Sequence, residues 1–315
     1  MTITRSNVRL EKVEVGDAGR RIDNFLLSRL KDTPKSLVYK LVRSGQVRVN
    51  GGRVKPDYRL IETDEVRIPP VLIEPGESSA MIPAAKIAQL EKAIRFEDDD
   101  FIVLDKPAGL ACHGGSGLRY GVIEIARAMR PQITRLDLAH RLDRATSGCL
   151  VLCKGIAQLR KFHNGLREHE LNKRYIALLR GRLAPNLDRI CLPLSNTRGM
   201  DGEQRSVTDV AGKLSETIIE SSQVYGPHTL VELRLVTGRM HQIRAHASAI
   251  GHPVAGDLRY GDAEFNRELT KLGLRRLFLH ATTIEFPAGD STVRVETGLS
   301  DELNLVLQQL AAGVF

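Results

Sequence analysis

Apolar residues in RRIDNFLLSRL fall at Ile22, Phe25, Leu26 and Leu30, the three-and-four spacing that gives a helix one apolar stripe. The breaker Asp32-Thr33-Pro34 separates it from KSLVYKLVRSG, a second predicted helix that Gly45 stops. QVRVNGGRV then reads as two short strands around an Asn50-Gly51 turn, a strong hairpin signal, and residues 65–68 as a further strand. Helix, helix, hairpin and strand predict a compact unit ending near residue 70. From 70 to 91 the chain holds Pro70, Pro75, Gly76, Ser78, Ser79 and Pro83, and reads as a linker. Beyond it, strands are predicted at 101–105, 150–154, 174–180, 230–235 and 278–286, and helices at 122–129, 156–168, 241–250 and 263–272. They follow no regular strand–helix–strand repeat, so the larger part is expected to be α+β with a mostly antiparallel mixed sheet.

Composition narrows the class. Hydrophobic residues make up 42% of the 315, enough for a sizeable core, and no apolar run nears the length of a membrane span. The opening MTITRSNVRLEKVE lacks the apolar stretch of a signal peptide, so a cytoplasmic protein is expected. Cys112, Cys149, Cys153 and Cys191 form no C-x-x-C pair, and a reducing compartment argues against disulfides. Cys149 and Cys153 share one face of the strand in GCLVLCKG, as small core residues rather than metal ligands.

Charge adds a partner. The net charge of +8 and pI near 9.4 suggest a polyanion. Residues 1–70 hold 15 Lys and Arg against 9 Asp and Glu, so 6 of the surplus of 8 lies there. Lys35, Lys40, Arg43, Arg48 and Arg53 crowd the second helix and the hairpin, a face suited to phosphates, although a solvated surface would carry charges too. With aromatic content of only 4% and no Trp, base stacking on aromatic platforms is not indicated.

Two polar segments carry candidate chemistry. HRLDRATSG (residues 140–148) precedes the apolar strand CLVLC, where a rigid scaffold presents reactive groups on a loop. There Arg141 and Arg144 flank Asp143, and neighbouring cations favour a carboxylate's charged form; a plain structural ion pair is the alternative. TGRMHQIRAH (residues 237–246) places Arg239, Gln242 and His246 on one helix face, with Arg244 projecting elsewhere. His241 and His246 are five apart with no intervening Glu, which is not the H-E-x-x-H zinc motif. HGGSGLRYG fits neither nucleotide-binding glycine pattern and reads as a tight loop beside a cleft. No metal and no cofactor are expected.

The N-terminal marks RIDNFL, PKSLVYKLVRSGQVRVNG and TDEVRI resemble the S-four-type RNA-binding domain, which implies binding of structured RNA through the second helix and hairpin. Over the whole chain, LDKPAGLACHGG, HRLDRATSG, KRYIALLRG, TGRMHQIRAH, GHPVAGDLRYG and RLFLHA are similar to the motifs of the RluA family of pseudouridine synthases. The first match covers roughly residues 20–68; with the linker reading it makes residues 1–70 the expected RNA-binding domain, 71–91 a linker and 92–315 the expected catalytic domain. The second resemblance matches Asp143 to the catalytic aspartate, Tyr175 to the tyrosine that stacks on the target base, Arg244 to the arginine paired with the aspartate, and Arg141 to the arginine that fills the gap left by the flipped uridine. Tyr175 could also simply pack in the core. Met240, Asp105 and Cys112 depart from the usual Thr, Asn and Val, and touch none of these four. Asp137, a nearby carboxylate, is left structural.

The N-terminal match looks closest to the C-type members, which modify several uridines of 23S ribosomal RNA. That RNA is therefore the expected partner of a monomeric isomerase. A non-enzymatic ribosome-assembly protein would be expected to lack the aspartate or tyrosine, and a hydrolase would normally need two carboxylates. Whether Asp143 attacks the ribose or removes a ribose proton is open.

Overall fold

The computed structural model describes residues 4–5, 8–30, 33, 35–73, 82–115, 118–199, 203–289 and 291–313. The chain divides into two compact units, Met1–Met81 and Ile82–Phe315.

The first unit runs β1 (Thr4–Arg5), β2 (Arg9–Lys12), α1 (Ile22–Arg29), α2 (Lys35–Arg43), β3 (Arg48–Val49), β4 (Glu65–Ile68) and β5 (Leu72–Ile73). Strand β4 is the centre of an antiparallel β2-β4-β3 sheet, and β1 pairs with β5. The predicted stripe holds: Ile22, Phe25 and Leu26 of α1 pack with Val38 and Val42 of α2 and with Val66 and Ile68 of β4. Asp32 and Pro34 of the expected breaker lie outside the described residues.

The hairpin is shorter than expected. Asn50 and Gly51 both take positive φ, 48° and 76°, and Val49 and Gly52 exchange both backbone hydrogen bonds, as a tight turn requires. Pairing within the hairpin goes no further, because Arg48 and Val49 pair instead with Arg67 and Val66 of β4. The Asn50 carboxamide donates to Asp64 at 2.8 Å and accepts from the Glu65 N–H at 2.8 Å, which anchors the turn to the base of β4.

The second unit runs α3 (Ala84–Lys92), β6 (Ile94–Glu97), β7 (Phe101–Lys106), α4 (Val122–Met129), β8 (Asp137–Leu138), β9 (Ser147–Cys153), α5 (Ile156–Arg167), β10 (Asn172–Leu179), β11 (Arg189–Cys191), β12 (Leu194–Arg198), β13 (Gln204–Thr208), β14 (Glu216–Tyr225), β15 (His228–Leu235), α6 (Gln242–Ala249), α7 (Ala263–Lys271), β16 (Leu279–Ala288), β17 (Ser291–Glu296) and α8 (Asp301–Ala311). Helix α3 corrects the expected linker, which extended to residue 91. AAKIAQLEK is built of strong helix formers, and Leu90 is buried with Ile102 and Ile125 in the core of this unit. Residues 74–81 of that stretch lie outside the described residues.

A ten-stranded sheet orders β11-β14-β15-β10-β16-β9-β7-β6, with β17 beside β16 and β8 beside β9. Among the described residues, only the β16–β9 pair in it is parallel. Strand β9 is buried along its whole length, which is why CLVLC reads as an unbroken apolar run. Cys149 and Cys153 lie in one cluster with Phe101, Phe162 and Phe286. Those rings meet edge to face at 5.0 and 5.2 Å, worth about 0.5–1.5 kcal/mol per pair beyond burial.

The parallel contact needs Gly148. Its φ is +106°, and a Cβ there would stand 2.1 Å from the Ala281 carbonyl oxygen of β16. Backbone approach of this kind is open only to glycine. Gly148→Ala should lower stability by roughly 2–4 kcal/mol, read as a fall in the urea midpoint; an unchanged midpoint would mean that β9 and β16 separate without cost.

Candidate active site

Asp143 lies on the loop between β8 and β9, and that loop is tied down by the turn following β7. Lys106, fully buried at the end of β7, donates from Nζ to the carbonyls of Pro107 (2.9 Å), Leu110 (2.9 Å) and Arg144 (3.3 Å). Burial pushes its ammonium down to about 8, because no carboxylate stands in its cage. Gly109 N–H donates to the Arg144 carbonyl at 2.8 Å, and Arg144 Nε returns a bond to the Gly109 carbonyl at 3.0 Å. Cys112 adds a buried thiol that contacts both backbone groups of Leu142, at 3.2 and 3.3 Å. One of the departing residues therefore bears directly on the loop that holds the aspartate. Glu124, in the first turn of α4, accepts from the N–H groups of Gly114 and Gly121, which closes the glycine-rich loop against the helix. Ser116 and Gly117 of that loop lie outside the described residues.

The partner of Asp143 is Arg244, 101 residues away in sequence. Arg244 Nη1 donates to Asp143 Oδ2 at 2.9 Å. The other edge of the guanidinium, Nε and Nη2, takes both oxygens of Asp257 at 2.7 and 2.9 Å. Asp257 has no exposed side-chain surface, and its Oδ1 also accepts from the backbone N–H of Arg259 and Tyr260. Burial alone would raise the Asp257 carboxyl, but the Arg244 hydrogen bonds and charge hold it below its usual range. Burial likewise works against the Arg244 charge, and the two carboxylates outweigh it, raising the guanidinium above its ordinary value. The turn leading to Asp257 depends on Gly256, at φ +71°, where a Cβ would meet the Arg276 carbonyl oxygen at 2.0 Å.

A second contact to Asp143 comes from His241. His241 precedes α6 in the left-handed region (φ 52°), with Nε2 3.7 Å from Asp143 Oδ1 and Nδ1 2.9 Å from the Tyr260 hydroxyl. That hydroxyl also accepts from the Ser206 N–H at 2.8 Å, so Tyr260 ties His241 to β13. Burial favours the neutral imidazole, with Asp143 opposing it. The Tyr260 ring lies under the Arg244 guanidinium at 5.0 Å.

Asp143, Arg141, Lys173, Tyr175, Met240 and Arg244 line one cleft of about 430 Å³. Lys173 and Tyr175 alternate inward along β10, both buried, and the β10–β16 register slips between Arg174 and Tyr175. Such irregularities re-aim side chains at functional sites. Burial first, and then the Asp143 charge, push the Tyr175 phenol above its usual range.

Several expectations are corrected here. Arg141 and Arg144 are both exposed, and Arg144 spends its Nε on a carbonyl, so the flanking cations do not pair with Asp143; the pairing is with Arg244, the arginine the resemblance named. Arg239 precedes α6 and does not share its face. Gln242 and His246 do share one, and both bond Thr217 Oγ1 of β14 at 3.0 Å, a structural task. Asp137 is paired with Arg127 and Arg135. Lys106, Asp257 and Tyr260 were not singled out in the sequence, and His241 was weighed only as a metal ligand. Their signals were present in LDKPAG, TGRMHQ and GDLRYG, but nothing in spacing shows that three distant segments meet.

Asp257→Asn would leave Arg244 buried with a single carboxylate. The expected loss of stability at neutral pH is roughly 3–5 kcal/mol. A depressed folded-state pKa stabilises above the unfolded value of about 3.9 and ceases to do so as pH falls through the folded value. The gap between wild type and variant should therefore be full at neutral pH and close only in acid, in urea midpoints measured from neutral pH downward. A gap that persists unchanged into strong acid would contradict the pairing.

Comparison with known proteins places this geometry. Residues 100–249 match the model of the family "RNA pseudouridylate synthase", and residues 20–66 match the S4 domain. The chain is 45% identical over 311 residues to ribosomal large subunit pseudouridine synthase C of Haemophilus influenzae, covering 98% of this chain and 97% of that protein. It is also 45% identical over 309 residues to the protein of the same name from Escherichia coli K12, covering 96% and 97%. Among solved structures, human RNA pseudouridylate synthase domain containing 4 matches with a TM-score of 0.59 at 25% identity, over 72% of this chain and 95% of that one. Because the relatives align along nearly their entire length, across both units and every motif of the cleft, the chain belongs to the RNA pseudouridylate synthase family, with an S4 domain in its N-terminal unit.

Proposed function

We propose that this protein converts uridines of 23S ribosomal RNA to pseudouridine, with Asp143 as the catalytic carboxylate. The relatives' names supply the large-subunit ribosomal substrate class. The observation that carries the role of Asp143 is its solitude: among the described residues it is the only carboxylate lining the cleft. Asp257 stands behind it, fully buried and consumed by Arg244. Hydrolysis of a glycosidic bond normally uses two carboxylates with separate roles, whereas isomerisation needs one, because the base leaves and returns to the same carbon.

The base must leave the stack to reach a cleft of this kind. Tyr175 then offers a face on which uracil stacks, and Arg141, exposed at the loop, is positioned to enter the vacated space. Asp143 either attacks C1′ or takes the proton from C2′, and Arg244 holds the carboxylate in place for both routes. The reaction is redox-neutral, and its protons move between base, ribose and protein groups, so no cofactor enters the proposal. The protein acts as a monomer in the cytoplasm in this reading. Among the described residues, no helix is long and apolar enough to cross a membrane.

The N-terminal unit supplies affinity. Lys40, Arg43, Arg48 and Arg53 are exposed, on α2 and around the 50–51 turn, while the Lys35 side chain lies outside the described residues. Residues 1–70 are proposed as the RNA-binding domain and the unit beginning at Ile82 as the catalytic domain.

Asp143→Asn preserves shape and packing and removes the anionic oxygen. Pseudouridine formation should fall below about 1% of wild type while RNA affinity stays within a few fold, since loss of an essential group costs far more than loss of a contact. Residual turnover above that level would remove Asp143 from the chemistry. Replacing Arg43, Arg48 and Arg53 together by Gln should weaken RNA binding at every sequence and reduce the salt dependence of log K by up to about 2–3. An unchanged salt slope would show that these cations do not meet phosphates.

A further inference from the structure

Among the described residues of the catalytic unit three lysine or arginine side chains are buried, Lys106, Lys173 and Arg244, and they are partnered very differently. Lys106 has three carbonyl acceptors and Arg244 has two carboxylates. Lys173, 8% exposed, has neither an ion-pair nor a hydrogen-bond partner among the described residues. A largely covered ammonium that no protein group pairs and that reaches only the cleft costs a fold stability, so the packing gives no reason for a lysine there. Its neighbour His140 is no counter-ion: burial, with Lys173 adding to it, pushes that imidazole down to about 3, and its Nε2 accepts from the Val151 N–H.

The position of Lys173 supplies a reason. It points into the cleft from the same face of β10 as Tyr175, two residues along, and its Nζ lies against Gly238, where a Cβ would be 3.6 Å away. Asp143 lines the same cleft but is not within ion-pair distance of Lys173. A base stacked on Tyr175 in that cleft has the carboxylate and the lysine as separate neighbours. Phosphates have other partners, because Arg141, Arg144 and Arg239 line the cleft with exposed guanidinium groups.

The structure assigns Lys173, we infer, to the detached uracil anion, as a catalytic residue that stabilises the negative charge on the base; this rests on the function proposed above. When the C1′–N1 bond breaks, its electron pair stays with the base, and the charge spreads over N1, O2 and O4. C1′ is then either esterified to Asp143 or part of a glycal whose C2′ proton has been removed. The base turns and C5 bonds to C1′, breaking the ester bond and releasing the Asp143 carboxylate in one route while C2′ recovers its proton in the glycal route; C5 then loses its proton and N1 gains one. Both routes pass through the same anion, so Lys173 serves either. A fixed charge in a covered site acts where charge develops and needs no reorganisation there.

The test uses the full chain and transcripts of 23S ribosomal RNA made with uridine or with 5-fluorouridine, assayed in single turnover at saturating protein. Wild type and Asp143→Asn run in parallel; a wild type that forms no pseudouridine would sink the proposed function itself. With an active wild type, Lys173→Met should slow the uridine transcript by about 100-fold or more, leaving RNA affinity within about threefold. Its melting temperature should equal or exceed that of wild type, because a buried unpaired charge has been replaced by a side chain of similar shape. Fluorine makes the departing base a weaker base, so the defect on the 5-fluorouridine transcript, read as loss of the N1-linked nucleoside because C5 there has no proton to lose, should be about tenfold smaller. A rate near wild type would overturn the assignment. So would lost affinity with a normal saturated rate, which would put the ammonium on a phosphate. Equal defects on both transcripts, or a fall in melting temperature that accompanies the lost rate, would likewise remove Lys173 from the base.

Discussion

A guanidinium has two edges, and in Arg244 each meets a different carboxylate. Nε and Nη2 are held by Asp257, which is fully buried and itself held by two backbone N–H groups. Only Nη1 is left for Asp143. An arginine in this position could satisfy Asp143 from many rotamers if its other edge were free; with that edge taken, one orientation remains. The planar fork is what makes the arrangement possible, since a lysine would present a point charge with no second edge to hold. Three segments far apart in the chain, the loop before β9, the start of α6 and the turn after Gly256, are brought to one point by this side chain.

The scaffold around that point is rigid for reasons of its own. Strand β9 is buried throughout, Gly148 lets its backbone touch β16, and Lys106 binds the turn after β7 to the Asp143 loop through carbonyl oxygens alone. The aspartate is thus set by backbone on one side and by Arg244 on the other. Tyr175 and Lys173 come from β10, next to β16 in the sheet, so these two and Asp143 rest on central strands or on segments bonded to them.

Much of this was legible in the sequence where the pattern is local. Helices over 122–129 and 156–167 follow from periodicity, and CLVLC announces a buried strand. Helix α8 was equally legible, with Leu303, Val306, Leu307 and Leu310 at three-and-four spacing, and was not assigned. Strand β14 was not, because its second half, ESSQVY, is largely exposed and does not alternate. The hairpin was over-read because the Asn50-Gly51 signal specifies a turn and says nothing of which strand pairs beyond it. Motif resemblance picked out Asp143, Tyr175 and Arg244, and the geometry joins the first and last directly. The residues around Asp143 pointed only next door, at Arg141 and Arg144; the resemblance alone named Arg244, which the fold brings in from 101 residues away. Asp257 was invisible for the same reason, since a buried carboxylate in GDLRYG has no local feature that points to an arginine on another helix.

The central claim is that a lone carboxylate in this cleft rearranges a nucleoside without releasing any part of it. The most direct measurement is the mass and nucleoside composition of a 23S ribosomal RNA transcript after incubation with the full chain. The account predicts an unchanged mass, with uridine lost and pseudouridine gained in equal amounts and no free base. Release of uracil, with the mass falling accordingly, would contradict it and make the protein a hydrolase.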